Sequence, residues 1–300
     1  MMKRSRGSIF CDVLIYVILG LFALCCLYPF YYMLIYSISD TNEVVKGVSL
    51  LPRGFSLYNY QEVFKLKGIG SAFLMSALRV VVGTTFTIFC CSFLGYLFSK
   101  QEMPLRKLFY RMLIITMYVG GGLLPTYLVY KAYGLPNTFW VYVIPGAISA
   151  YNVVLIKTYI ESLPASLEES AMIDGASYFR VYRSIVFPLS VPILATIMIF
   201  SAVGQWNAWF DNHIYTQGNE ALTVLQYKLW RLLNESKAVT DLLKTGQATS
   251  ADMEAAATQA LSPKGVRITI TMVSVIPIFC VYPFMQRYFI KGIMIGAVKG

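Results

Sequence analysis

Six long stretches without a charged residue divide this chain. They run from Leu14 to Ser39, Val80 to Ser99, Met112 to Tyr130, Ala132 to Ile156, Ser184 to Phe210 and Ile268 to Gln286. Each is long enough to cross about 30 Å of hydrocarbon as a helix. In lipid every backbone polar group needs a partner within the protein, so a helix is the expected form. The pattern predicts an all-α membrane protein with six transmembrane helices, centred on 13–37, 71–99, 108–130, 138–160, 189–209 and 267–287. Residues 1–300 read as one transmembrane domain.

The polar segments between the stretches are unequal. Residues 38–70 hold the breakers Pro52 and Gly54 and the aromatic residues Phe55, Tyr58 and Tyr60. Residues 210–266 form a long loop. Within it, Leu222, Leu225, Leu229 and Leu232 recur at helical spacing and predict a surface helix. Thr249 to Gln259 is rich in alanine.

Composition agrees with the membrane reading. The chain is 57% hydrophobic and only 13% charged, where a soluble domain carries about 25%. Mean hydropathy is +0.60. The net charge of +10 comes from Lys and Arg scattered between apolar runs. They suit loops facing an anionic lipid surface better than a nucleic-acid-binding face. With both termini inside, the inner segments hold 13 of the 25 basic residues, among them Lys3, Arg4, Arg106, Arg111, Lys157 and Lys291. Short basic loops stay cytoplasmic, so this orientation is favoured. Five of the six cysteines lie in apolar runs and read as small packing residues. Lys3, Arg4 and Arg6 precede an apolar run too long for a signal peptide, which makes that run a first span.

One polar segment is more than a connector. In Glu161 to Pro188, Ser166 and Glu169 are spaced as a capping box that starts a short helix. Gly175 fits a left-handed helix stop. A second short helix follows, with Phe179, Tyr182 and Ile185 or Val186 on one side, and Pro188 turns the chain back toward the membrane. The first helix carries Glu168, Glu169, Ser170, Ala171 and Asp174, which are acidic or small. Helices lying on a membrane surface favour basic faces, so a protein cleft is the better partner.

Glu169-Ser170-Ala171, three residues, Gly175, nine residues, then Ile185-Val186-Phe187-Pro188 resembles the cytoplasmic EAA loop of ABC importer permeases. Ser170 stands where that loop has Ala, and Phe187 where it has Leu. Gly121 to Tyr127, Asn137 to Trp140, Gly204 to Asp211 and the ending Lys291 to Gly300 are similar to the carbohydrate-uptake permeases of the maltose-transporter type. Within these the likeness is to the branch serving complex oligosaccharides and polysaccharide fragments. The resemblance covers nearly the whole chain and is loosest in 38–70 and 210–266.

The resemblance implies an importer-permease fold with residues 161–188 as the cytoplasmic coupling loop and 210–266 as an extracytoplasmic loop. Glu168, Glu169, Ser170, Ala171, Asp174, Gly175, Ile185 and Pro188 would couple to the ATPase. The implied partners are a second homologous permease subunit, two ATPase subunits, an extracytoplasmic sugar-binding protein and membrane lipid. ATP and Mg belong to the ATPase subunits; no G-x-x-x-x-G-K-[ST] phosphate loop occurs here, and no cofactor of this chain is expected. Trp206, Asn207, Trp209 and Asp211, with Tyr127, Tyr151 and Asn152, supply the aromatic faces and planar polar groups that bind sugars. An interfacial aromatic belt accounts equally for the Trp and Tyr residues, and helix–helix hydrogen bonding for the Asn residues. Arg79 is costly in lipid and is expected to reach the outer interface, a structural partner or the pathway. His213, the single histidine, reads as a loop residue. An ion-coupled secondary transporter is the alternative, but it needs charged coupling sites within spans, and only Arg79 offers one. A membrane-embedded enzyme needs a nucleophile, base or metal cluster, and none is evident.

Overall fold

The computed structural model describes residues 6–40, 43, 50–234, 265, 267–281 and 283. Among them the chain is helical, apart from loops and an isolated antiparallel bridge between Ser39 and Phe55. Two compact units are present. One draws on Met1–Lys67 and Arg231–Ile276, the other on Gly68–Trp230 and Pro277–Gly300.

In the first unit, α1 (Arg6–Ser37) is one continuous apolar helix, and its Phe10–Ser37 part is long enough to cross a membrane. Tyr16, Phe22 and Leu24 are exposed along it, a surface suited to lipid and not to water. After α1 the chain folds back. Asp40 N–H donates to Gly54 O at 2.7 Å and Ser56 N–H to Ile38 O at 2.9 Å. In the short helix α2 (Tyr58–Lys65), Asn59 is buried, and Tyr60 shares a 3.0 Å hydrogen bond with Ser37. Phe55 and Tyr58 remain exposed.

The second unit is built on α3 (Ile69–Ser99), which at 31 residues is about 46 Å long at 1.5 Å per residue. Its buried stripe runs Ile69, Ala72, Ser76, Arg79, Gly83, Thr87, Cys91 and Gly95, a three-to-four spacing that keeps one face inward. That face is small and polar, whereas Leu74, Val81 and Phe89 are exposed. This inverts the soluble pattern and is the packing of a membrane helix, in which small residues let backbones approach. A Cβ on Gly95 would lie 2.8 Å from Ile156 Cγ2, and one on Gly83 would lie 2.8 Å from the Gln205 amide.

The third and fourth predicted spans are not continuous helices. The expected helix over 108–130 is α4 (Arg106–Ile115), a break, and α5 (Leu123–Ala132). Gly120, Gly121 and Gly122 fill the break, and Gly122 has φ 76° and ψ 167°, a region open essentially to glycine alone. The expected helix over 138–160 is a 3-10 turn (Phe139–Tyr142), an irregular stretch, and α6 (Ala150–Glu161). Pro145 disfavours helical backbone at Ile144, so the helix is not continued past the turn. Ser149 then starts α6 by accepting from Asn152 N–H at 3.5 Å.

After α6 come α7 (Ala165–Ile173) and a second arm made of α8 (Tyr178–Val181), a π-turn (Tyr182–Val186) and α9 (Phe187–Leu189). The arm meets α10 (Val191–Asn207) at a 78° bend. Pro188 and Pro192 flank it, and Pro192 cannot donate the hydrogen bond that would carry the helix through. Among the described residues two helices can cross a membrane by length and composition, or three if this bent pair counts as one. A shorter apolar helix, α13, spans Arg267–Val281; the end of the predicted sixth span lies largely outside the described residues. Before it, α11 (Phe210–Tyr215) and a helix α12 over 225–234 occupy the start of the long loop. Val224, Leu225 and Tyr227 are buried, so the stretch predicted as a surface helix is a packed element. Thr249 to Gln259 lies outside the described residues.

Candidate functional site

Two places in the second unit concentrate chemistry. The first is the elbow of α7 and the arm after it. Gly175 has φ +80°, as its place after the helix requires. Ala176 N–H donates to Ala171 O and Gly175 N–H to Met172 O, both at 3.0 Å. These paired bonds form a Schellman motif that fixes the turn. The predicted capping box is absent. The helix starts at Ala165, with Pro164 at the cap and no side-chain cap bond. Ser166 is already inside the first turn, because Pro164 presets the extended backbone that leads into it.

The elbow is tied to the rest of the unit from one side. Val181, Tyr182 and Val186 are buried with Tyr96, Val153 and Ile160 in one cluster. The Tyr182 hydroxyl shares a 2.7 Å hydrogen bond with Ser92 on α3. Phe179 and Tyr182 share one side of the arm as expected, with ring centroids 6.2 Å apart, though Phe179 is exposed while Val181 and Tyr182 are buried. Ile185 is half-buried, and Pro188 is exposed. Glu168 forms a salt bridge with Lys100 at the end of α3. Glu161 holds Arg106 at 3.1 Å and Lys157 at 2.7 Å. The other side is left open. Glu169, Ser170 and Asp174 are exposed, and Ile173 is 86% exposed.

The second place is a polar cavity of about 370 Å³. Arg79 on α3, 3% exposed, lies at its wall. Its Nε donates to Gln205 Oε1 at 2.7 Å, and one terminal nitrogen donates to Ala208 O at 3.2 Å and Asp211 Oδ1 at 3.0 Å. The other forms a salt bridge with Asp211 Oδ2. The guanidinium lies over the Tyr142 ring, 4.6 Å from its centroid. Tyr130, Asn152, Ser201 and Tyr215 complete much of the wall. Burial raises the Tyr215 phenol above its ordinary range, which keeps it a neutral donor. The irregular backbone at Pro145 and Gly146 faces this cavity. Gly146 O accepts from Thr87 at 3.2 Å, and Tyr142 O accepts from Gln205 at 3.4 Å. This irregular backbone is thus both packed in protein and exposed to a cavity.

Of the eight predicted pathway residues, Arg79, Asn152 and Asp211 line this cavity. Tyr127 stacks on Tyr215 with centroids 5.9 Å apart. Trp206 is buried edge-on against Phe73, and Trp209 stacks on Trp230 at 4.8 Å. Tyr151 and Asn207 are exposed, and Asn207 accepts from Gln226 at 3.3 Å. Asn207 is not the buried polar residue expected, because it ends α10. His213 packs in the aromatic cluster of Trp209, Tyr227 and Trp230. The residues missed were Tyr130, Tyr142, Gln205 and Tyr215. Gln205 was visible as an uncharged polar residue near the end of an apolar stretch, shortly before Asp211.

The sequence and the fold have counterparts in known proteins. Residues 91–295 match the family described as binding-protein-dependent transport system inner membrane component. The chain belongs to this family. It is 34% identical to the polygalacturonan/rhamnogalacturonan transport system permease protein YtcP of Bacillus subtilis, over 96% of this chain and 98% of that one. It is 33% identical to protein LplC of Bacillus subtilis, over 100% of this chain and 98% of the relative. A crystal structure of a bacterial ABC transporter that imports the acidic polysaccharide alginate contains a similar chain. That chain has a TM-score of 0.81 and 29% identity, with 96% of this chain and 100% of the other covered. This permease is therefore an integral membrane component of an ABC importer and not its ATPase. Its exposed apolar helix faces and its small, polar buried stripe suit a membrane protein. An ion-coupled secondary transporter is set aside by the same membership.

Proposed function

We propose that this permease forms half of the translocation path of an ATP-driven oligosaccharide importer in a bacterial cell membrane. The observation that carries the reading is full-length similarity to a polygalacturonan/rhamnogalacturonan permease. A polar cavity lined by aromatic rings and planar polar groups supports it. The chain crosses the membrane six times, with some crossings made by the broken helices described above. A second permease subunit, two ATPase subunits and an extracytoplasmic binding protein complete the assembly. Discontinuous helices near a binding site are a recurrent transporter feature.

Residues 161–188 form the cytoplasmic EAA coupling loop. Its open face, with Glu169, Ser170, Ile173 and Asp174, enters a groove of one ATPase subunit, where the small side chain of Ser170 permits close approach, while small Ala171 lets the helix pack on its own core. Glu168 anchors the elbow to Lys100. Gly175 sets the turn, and Ile185 and Pro188 hold the second arm to the spans. Closure of the ATPases pushes the elbow and rocks the spans between inward-open and outward-open states. Residues 210–266 face the binding protein, with 216–262 as the docking stretch. Arg79, Tyr127, Tyr151, Asn152, Trp206, Asn207, Trp209 and Asp211 are the candidate pathway residues, with Arg79, Asn152 and Asp211 nearest the sugar.

Uptake by a deletion strain, measured on a panel of labelled neutral and acidic oligosaccharides, tests the function. Loss of uptake of at least one oligosaccharide, restored by the intact gene, is expected. Unchanged uptake of every oligosaccharide removes the reading. Orientation has its own test in a Cys-free background. Ser236→Cys should react with an impermeant thiol reagent added outside intact cells, and Ser177→Cys should not. The reverse labelling overturns the orientation.

A further inference from the structure

We propose that Arg79 is a carboxylate-binding group of the cavity, and that Asp211 is a built-in occupant which the carboxylate of an acidic sugar displaces. The proposal rests on the import reading above and adds the chemical class of the sugar.

The guanidinium is held in place without Asp211. Gln205 accepts from its Nε at 2.7 Å, Ala208 O accepts from one terminal nitrogen at 3.2 Å, and the Tyr142 ring supports its plane at 4.6 Å. What remains is the edge bearing the two terminal nitrogens, and Asp211 occupies it with both oxygens. That edge is a planar fork matched to a carboxylate, and it stays aimed at the cavity if its present occupant leaves.

The two partners are mounted differently. Arg79 sits well inside a continuous helix, and its side chain is 4% exposed. The Asp211 side chain is 25% exposed. It stands beyond the end of α10, after extended Ala208 and non-helical Trp209, on a helix of six residues. The partly exposed Asp211 side chain can swing toward solvent about its own torsions while α11 stays anchored through buried Asn212, which bonds Thr216 and Val224 N–H. Asp211 Oδ1 also accepts from Asn212 N–H at 2.9 Å.

Charge bookkeeping decides which ligand can enter. Leaving a buried guanidinium without an anion is costly, because breaking a buried pair leaves an uncompensated charge. A neutral sugar therefore displaces Asp211 only at that cost, whereas another carboxylate displaces it with the charge balance at Arg79 kept. The rest of the wall suits a sugar ring. Asn152, Ser201 and Thr87 offer amide and hydroxyl groups, and Tyr130 and Tyr215 offer aromatic surface. The volume is at the small end of the range of about 300–1,000 Å³ usual for ligand pockets.

Equilibrium binding to the complete purified transporter tests the assignment, with trigalacturonate and its carboxyl-reduced counterpart as matched probes. The wild type is expected to prefer the acid. Asp211→Asn removes the competitor and should tighten acid binding by about tenfold, since a built-in competitor lowers apparent affinity by the fraction of sites it holds. Arg79→Gln should abolish the preference between the probes. A charge-swapped double variant, Arg79→Asp with Asp211→Arg, restores an ion pair but should not restore the preference. Co-elution with the partner subunits checks that each variant is assembled. Weaker or unchanged acid binding in Asp211→Asn, or a preference restored by the swap, overturns the proposal. Wild-type transporter that imports oligosaccharides but binds both probes equally also overturns it, with the import reading intact. Acid binding without import of any oligosaccharide overturns the import reading and leaves the site.

Discussion

Gly175→Val abolishes transport while the protein still inserts in the membrane. Gly175 sits at φ +80° in the Schellman turn that ends α7. A β-branched residue is a poor occupant of that region, at a cost of roughly 1–2 kcal/mol. A Cβ there would meet nothing within 4 Å, so the penalty is backbone strain and not a clash. The spans are untouched. The turn instead relaxes to another conformation and carries the exposed Glu169, Ser170 and Ile173 off their line. Gly175→Asn is the control, because Asn tolerates left-handed backbone, and it should retain much of the transport. Glu169→Lys should match the valine variant, since it reverses a charge on the open face. Sugar uptake and co-purification of the ATPase subunits check both. Normal uptake with Gly175→Val or Glu169→Lys removes the coupling role of the elbow.

Gly95→Leu should prevent folding altogether. Where α3 passes α6, a Cβ at position 95 would lie 2.8 Å from Ile156 Cγ2, 3.1 Å from its Cβ and 3.2 Å from the Lys157 backbone nitrogen. The side chain of Ile156 can shift, but the backbone of a packed helix cannot. Overpacking costs about 1–3 kcal/mol for modest insertions, and leucine is not modest here. The helices must separate, and Ile88, Cys91, Val153 and Ile156, all buried in the same cluster, lose their packing. Gly204→Ala is the matched control on α10, where nothing lies within 4 Å of the added carbon. It should leave the folded level unchanged or raise it, because alanine favours a helix over glycine by about 1 kcal/mol. The amount of protein in membranes and its thermal unfolding in detergent report both effects. Ile156→Ala should recover Gly95→Leu only in part, because the backbone contact remains. Full recovery would mean that the side chain alone limits the approach.

Local chemistry made much of this protein legible. Absence of charge located the apolar segments, since a charged side chain in hydrocarbon is costly whatever its neighbours. Gly175 was readable because a left-handed helix stop has few solutions, and the elbow followed from its fixed offsets. Composition could not tell an unbroken helix from an apolar segment with a break. Gly120 to Gly122 and Pro145-Gly146 were in view, yet hydrophobicity is insensitive to backbone continuity. The capping box failed for a related reason, because Pro164 starts α7 before Ser166 can cap it. The shared side of Phe179 and Tyr182 was legible, but the π-turn over Tyr182–Val186 was not, because no periodicity count anticipates it.

By itself, the sequence determined which segments are apolar, where the elbow turns and which family the chain resembles, because these depend on residue type and short-range spacing. Only the tertiary structure decided which side chains share a site. Arg79 and Asp211 are far apart along the chain, and nothing local links them. They meet because small residues on α3 let α10 come close, and because α10 ends where Ala208 turns the chain back toward Arg79. The open face of α7 was decided in the same way. Glu168 and Glu169 are adjacent acids of one composition, and only the position of Lys100 turns one inward and leaves the other exposed.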